Sequence, residues 1–228
     1  KFPKQASNTL FGPDEVREAM KRDLEFALYR DEVKIMGVDV ARHGDDRTVI
    51  ALRQGRLVYT PIIHRIPDTM RIAAEVGLAI NKHKPACCFV DMATFGAGVV
   101  DRLRQMRFPV IGVYGAGAPV TDSKYANRRS EMWFRMSEWL RDGEGGVLPN
   151  LPELVSELTV PMYGFDRSDK LLLEKKKDIK ARTGTSPDIA DAIGFTFAQP
   201  VASREVQDDI EALMGSGTNP LDLDPYGG

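Results

Sequence analysis

The sequence lacks any run approaching the roughly 18 apolar residues that a membrane-spanning helix needs. Its opening, KFPKQASNTLFGPDE, lacks the apolar core of a secretory signal. No G-x-x-x-x-G-K-S/T segment occurs, which excludes a P-loop nucleotide site. Cysteine is scarce: Cys87 and Cys88 are adjacent in an apolar run. Neighbours on a strand point to opposite faces, so neither a disulfide framework nor a paired-thiolate metal clip is available, and a reducing interior is expected. The three histidines, His43, His64 and His83, match no ligand spacing. An excess of one charge is missing too. With 31 Lys+Arg against 33 Asp+Glu, the net charge is −2. That argues against coating nucleic acid by bulk electrostatics and leaves room for a locally basic groove.

What is present is an ordinary globular composition, 43% hydrophobic and 28% charged over 228 residues. This suits one domain with tails. Residues 14–30 place Val16, Met20, Leu24 and Leu28 near helical spacing, with Pro13 and Asp14 as a start signal. This first helix either packs on something upstream or simply opens the domain. Val33 to Ala41 reads as a buried strand ending at Asp39, and 47–54 and 56–66 as two more strands joined at Gln54-Gly55. A helix is expected over 67–82. A fourth strand, Ala86 to Asp91, again ends in an acid; a small-residue loop, a helix from Val99, and a fifth strand over 108–115 follow. Helices are expected over 127–141 and 151–158, a β pair over 158–166 and 170–174, and a last helix from Ser186-Pro187 through Ala198, with Ser186 as its cap. The fold class is therefore α/β: a mixed sheet containing a three-strand antiparallel meander, with helices on both faces.

Strand ends are where open α/β sheets build sites. If the first and fourth strands are neighbours, Asp39 and Asp91 converge, and the last helix brings Asp188 and Asp191, which share a face at i, i+3. Such a cluster repels itself unless a hard divalent cation, Mg²⁺ or Mn²⁺, sits within it. Two such ions, about 3.5–4 Å apart, suit phosphodiester hydrolysis. Basic residues form two groups. Lys170, Lys175, Lys176, Lys177, Lys180 and Arg182 precede the last acids; Lys124, Arg128 and Arg129 form the second group. They are expected as two rims gripping DNA phosphates on either side of the acidic centre, without base readout.

The segments GVDVARHGDDRTVIAL, FVDMATFGAGVVDRL and SPDIADAIGF together resemble the three acidic motifs of the nuclease domain of tailed-phage terminase large subunits. The resemblance spans roughly residues 33–198 and implies an RNase H-like, RuvC-type fold. It implies a metal-dependent endonuclease that cuts concatemeric double-stranded viral DNA during genome packaging, by in-line attack of water on phosphorus. It assigns catalysis to Asp39, Asp91 and Asp188, with two ions held by these and by Asp191. Asp191 matches the extra acid of RuvC-type resolvases, and Asp46 sits where the family often repeats an Asp. Many relatives of the fold carry Glu where this chain has Asp91.

By the same resemblance, residues 1–32 are a leader linking to an upstream ATPase domain, 33–199 the nuclease, and 200–228 a flexible acidic tail. The start at Lys1 is then that of a processed or partial chain. The partners implied are double-stranded DNA, a terminase small subunit and a portal protein, in the host cytoplasm and with no membrane. Rival readings are a resolvase or DDE-type transposase on the same fold, an actin-like or sugar-kinase ATPase, for which no adenosine-binding Gly-Gly motif is visible, and a non-catalytic docking module using the tail.

Overall fold

The structure is a computed structural model that describes residues 8–41, 47–93 and 95–202. Asp46, His43 and the segment 203–228 lie outside the described residues. Among the described residues, no helix is long and apolar enough to cross a membrane.

Helix α1 (Pro13–Lys21) leads to a six-stranded sheet. The strands are β1 (Lys34–Asp39), β2 (Thr48–Gln54), β3 (Leu57–Val58), β4 (Ile62–His64), β5 (Cys87–Asp91) and β6 (Val110–Val113). The order is β3-β2-β1-β5-β6, with β4 also paired to β2. β1 and β2 are antiparallel, whereas β1–β5 and β5–β6 are parallel. Parallel neighbours need crossovers, and α2 (Thr69–His83) and α3 (Gly96–Gln105) supply them. The expected first and fourth strands are thus neighbours. The expected third strand is split: Pro61, with no N–H to donate, separates β3 from β4.

Alternation sorts the sheet's side chains into two layers. Met36, Val38, Ile50, Leu52, Cys88 and Val90 pack against α2 and α3. On the other face, Val49 and Ala51 meet α4 (Arg128–Arg141), α5 (Pro152–Thr159) and α7 (Asp188–Phe195), while Ile35, Phe89 and Val113 meet Met132 and Phe195. Cys87 and Cys88 are free and fall on opposite faces, as strand neighbours must.

Leu10, Phe11, Val16 and Ala19 belong to the core around Trp133 and Leu154. The first helix is shorter than its apolar spacing predicts. Arg22 turns extended at the C-cap, and its guanidinium donates to the carbonyls of Leu140 and Gly146 at 3.2 and 2.7 Å. Those long-range bonds replace further helix, and Leu28 is left exposed. The expected β pair forms as β7 (Tyr163–Phe165) and β8 (Leu171–Leu173). The basic segment that follows folds as a helix the spacing did not predict, α6 (Lys176–Thr183), which buries only Ile179.

Candidate active site

The pleat decides where the strand-end acids point. Asp39 is in phase with Ile35 and Gly37, and Asp91 with Cys87 and Phe89, so both acids lie on the α7 face. The β1–β5 register, Val38 beside Val90, sets the two acids side by side where the parallel strands end. Gly37 lets α7 come close, because a Cβ there would lie 2.2 Å from the Ala192 carbonyl oxygen. The first turn of α7 is thereby laid over Asp39. Gly96 plays a similar part after β5: a Cβ on it would lie 1.7 Å from the Asp91 carbonyl, so only glycine permits α3 to start so soon. Helix therefore begins inside the expected loop.

Asp39, Asp188 and Asp191 are all buried, and they converge on one cation. Lys176 Nζ lies 2.7 Å from Asp39 Oδ2, 3.1 Å from Asp188 Oδ1 and 3.5 Å from Asp191 Oδ2. Its alkyl stem keeps about a third of its side-chain surface in solvent, while the ammonium is seated among the acids. Burial alone would make Lys176 easier to deprotonate; the carboxylates of Asp39, Asp191 and Asp188 outweigh it and hold the proton more firmly than usual. Burial, and after it the like charges of Asp191, Asp91 and Asp188, push the Asp39 carboxyl well above the usual carboxylate range despite Lys176. Asp91 is pushed up to about 6, chiefly by burial, although its Oδ1 accepts the Ala93 N–H at 2.9 Å.

The outer oxygens of the α7 acids are tied down from behind. Asp188 Oδ2 accepts the Arg47 N–H at 3.0 Å. The Arg47 guanidinium forks onto Glu153 (2.7 Å) and Glu157 (2.8 Å) of α5. Glu157 Oε2 accepts the Ala190 N–H at 2.9 Å, and burial pushes its carboxyl up to about 7. This acid from α5 caps α7, not Ser186 as the sequence predicts. Pro187 holds the N-cap position with no side-chain bond, and Ser186 Oγ is buried without a hydrogen-bond partner. Asp191 Oδ1 accepts from Trp133 Nε1 at 2.8 Å and Arg129 Nε at 3.0 Å. The inner oxygens, Asp188 Oδ1 and Asp191 Oδ2, are buried and make no hydrogen bond.

Of the basic residues singled out in the sequence, Lys176 and Arg129 stand inside the acidic centre rather than on its rim. Arg129 also donates to the Glu174 carbonyl at 2.7 Å and lies over the Trp133 ring. Arg182 grips Glu174 with two donors, at 3.2 and 2.6 Å, and the Val160 carbonyl at 3.1 Å. Arg128 reaches Ala198 O and Gln199 Oε1. These four residues are committed to protein contacts. Lys124, Lys175 and Lys177 are exposed, and Lys170 and Lys180 are half-buried. One member of each basic group stands next to the other. Leu171 N donates to Lys124 O and Ala126 N to Leu171 O, both at 2.8 Å, so Lys124 and Lys170 share one ledge.

Arg47, Glu157 and Trp133 were not singled out in the sequence. Glu157 carried a usable signal, being an acid beside Leu158 on a helix whose apolar face includes Leu154. Arg47 and Trp133 carried none.

Among the described residues, no three His, Cys, Asp or Glu side chains stand assembled as a metal site. The centre is instead taken by the Lys176 ammonium. The donor set nevertheless fits a hard divalent cation, because the inner Asp188 and Asp191 oxygens, which make no hydrogen bond, and the Lys176-bound Asp39 oxygen are all carboxylate.

No protein-family profile matches the sequence, and no curated protein matches it. Solved structures do match. The nuclease domain of the large terminase subunit gp2 of bacterial virus Sf6 superposes with a TM-score of 0.70 at 16% identity, over 85% of this chain and 100% of that one. The large terminase nuclease from thermophilic phage G20c gives 0.60 at 14% identity, over 85% and 100%. Structures are described for a variant of the Sf6 domain with manganese and for the G20c nuclease with magnesium and with cobalt. The chain has the RNase H-like fold of these terminase nuclease domains.

Proposed function

We propose that this chain is a divalent-metal-dependent endonuclease of the phage large-terminase type, cutting concatemeric double-stranded DNA with little sequence preference. The observation that carries this reading is the convergence of Asp39, Asp188 and Asp191 on a single ammonium, at 2.7, 3.1 and 3.5 Å. Buried carboxylates repel, and they stay together only around positive charge. Asp39, Asp91 and Asp188 would hold Mg²⁺ or Mn²⁺, as one ion or a pair, with Asp191 as a further ligand or water-orienting group. Such ions lower the pKa of a bound water and stabilise a leaving phosphate oxygen.

The chain's own part is to hold those oxygens still. The Arg47 and Ala93 amides, Trp133 and Arg129 each take the far side of an acid, which leaves the inner oxygens facing the centre. Lys176 would have to give up this seat to an ion, and its charge would then be available to a DNA phosphate. Lys124, Lys170, Lys175, Lys177 and Lys180 carry the backbone of the duplex, phosphate by phosphate, and so without reading bases.

On the same reading, residues 1–32 lead from an upstream ATPase domain into the nuclease of 33–199, whose core also takes in Leu10, Phe11, Val16 and Ala19, and 200–228 are a tail. The partners are a terminase small subunit and a portal protein, at work in the host cytoplasm.

Plasmid nicking with Mg²⁺ or Mn²⁺ tests the reading. Asp39→Asn and Asp91→Asn should each abolish cutting. Cutting at the wild-type rate by either variant overturns the reading, and a preference for four-way junctions over linear duplex redirects it to a resolvase.

A further inference from the structure

Behind Asp188 lies a polar network that ordinary packing does not require. Arg47 stands at the entry to β2 with its side chain largely enclosed. Its guanidinium bridges Glu153 and Glu157, one turn apart on α5, while its own backbone N–H holds Asp188 Oδ2. Glu157 is 8% exposed and has both oxygens engaged, Oε1 by Arg47 and Oε2 by the amide of Ala190, two residues beyond Asp188. Three separate elements, β2, α5 and α7, are therefore fastened to one carboxylate. Burying a glutamate and an arginine together is costly, and apolar side chains of the same volume would pack these helices at least as well. What apolar packing would not do is fix the rotation of the Asp188 carboxyl about its own bond.

Resting on the nuclease reading above, we propose that Glu157 and Arg47 are positioning residues for Asp188. The Glu157–Arg47 link locks the amide that holds Asp188 Oδ2, so that Oδ1 is presented to the centre where a divalent ion binds. Neither residue touches the ion or the DNA. Partners that orient a metal ligand from behind typically contribute about 10–100-fold to metal affinity. Glu157→Gln keeps one oxygen for the Ala190 amide but sets an NH₂ against the Arg47 donors. Arg47→Ala removes the fork and leaves the backbone amide in place but unanchored.

The experiment is Mn²⁺ binding to the purified protein without DNA, followed by the metal's paramagnetic signal, each variant being read well below its own melting temperature. Glu157→Gln and Arg47→Ala should bind Mn²⁺ about tenfold or more weakly. Leu103→Ala is the control for general loss of stability. Leu103 is buried on the far face of the sheet, so this variant should melt earlier yet bind Mn²⁺ as the wild type does. Unchanged affinity in the two network variants, or an equal loss in Leu103→Ala, overturns the assignment. If neither network variant folds, Arg47→Lys, which keeps a cation but cannot fork onto Glu153 and Glu157 together, is read in their place, and an unchanged affinity there overturns the assignment equally. A wild-type protein that binds no Mn²⁺ overturns the nuclease reading and this assignment with it. Wild-type binding alongside unaffected variants overturns the assignment alone.

Discussion

Lys176 Nζ donates to Asp39 Oδ2 at 2.7 Å although 137 residues separate them in the chain. The pair joins the end of the first core strand to the first residue of α6, and it places a monovalent cation where the acids of α7 also converge. Charge balance at this point decides how the domain behaves with and without divalent ions.

Removing the ammonium should therefore destabilise the metal-free protein. Lys176→Ala leaves buried like charges facing one another, at a cost of about 2 kcal/mol, below the roughly 3–5 kcal/mol of a fully buried pair because a third of the lysine side chain is in solvent. Thermal melting in EDTA should show the loss, and added Mn²⁺ should restore more stability to the variant than to the wild type. Identical melting in EDTA would mean that the ammonium is not what holds the acids together.

The pH dependence of stability should carry the mark of Asp91. Its folded pKa is raised to about 6 from an ordinary value of 3.8, so the charged form is disfavoured by folding. For an acid shifted upward, the folded state binds the proton more tightly. Its contribution is most favourable below the unfolded pKa and is lost as pH rises from about 4 to about 6. Asp91→Asn removes that penalty and keeps an acceptor for the Ala93 amide. The variant should gain roughly 1–3 kcal/mol over wild type at pH 7 and little at pH 3.5. Urea denaturation at the two pH values measures the difference.

A side chain at Gly37 should displace α7. With the Ala192 carbonyl 2.2 Å from the added Cβ, Gly37→Ala forces backbone rather than side chain to move. A stability loss of about 3 kcal/mol is expected, of the order seen for overpacked cores. DNA cutting should fall with it, because α7 carries Asp188 and Asp191. Undiminished cutting by a folded variant would show that the helix tolerates displacement.

The basic residues should separate by experiment into two kinds. Lys175→Gln with Lys177→Gln removes two exposed charges and should lower the slope of log affinity against log salt by about 0.9 for each phosphate no longer neutralised. Arg182→Gln instead strips the partner from the buried Glu174 and should lower the melting temperature while leaving that slope unchanged. A reduced salt slope in Arg182→Gln would place DNA against α6's far end.

Much of this architecture is legible along the chain because it is written in local periodicity. Short apolar runs ending in Asp39 and Asp91 mark strands, and alternation assigns both acids to one face. The i, i+3 spacing puts Asp188 and Asp191 on one side of α7. Each of these follows from backbone geometry within a few residues.

The rest depends on partners far away in sequence. That α1 stops at Lys21 depends on carbonyls of residues 140 and 146. That Glu157 caps α7 in place of Ser186 depends on α5 lying across its end. Lys176 reads along the chain as one lysine among several of a phosphate-gripping rim, and only the approach of α7 to Gly37 turns it into the counterion of three acids. The amino-acid order alone thus determined which residues face which layer, since a strand or helix repeats regardless of its surroundings. Which charge answers which was decided in three dimensions, because buried ions are satisfied by proximity, and proximity across 137 residues is a property of the packed fold.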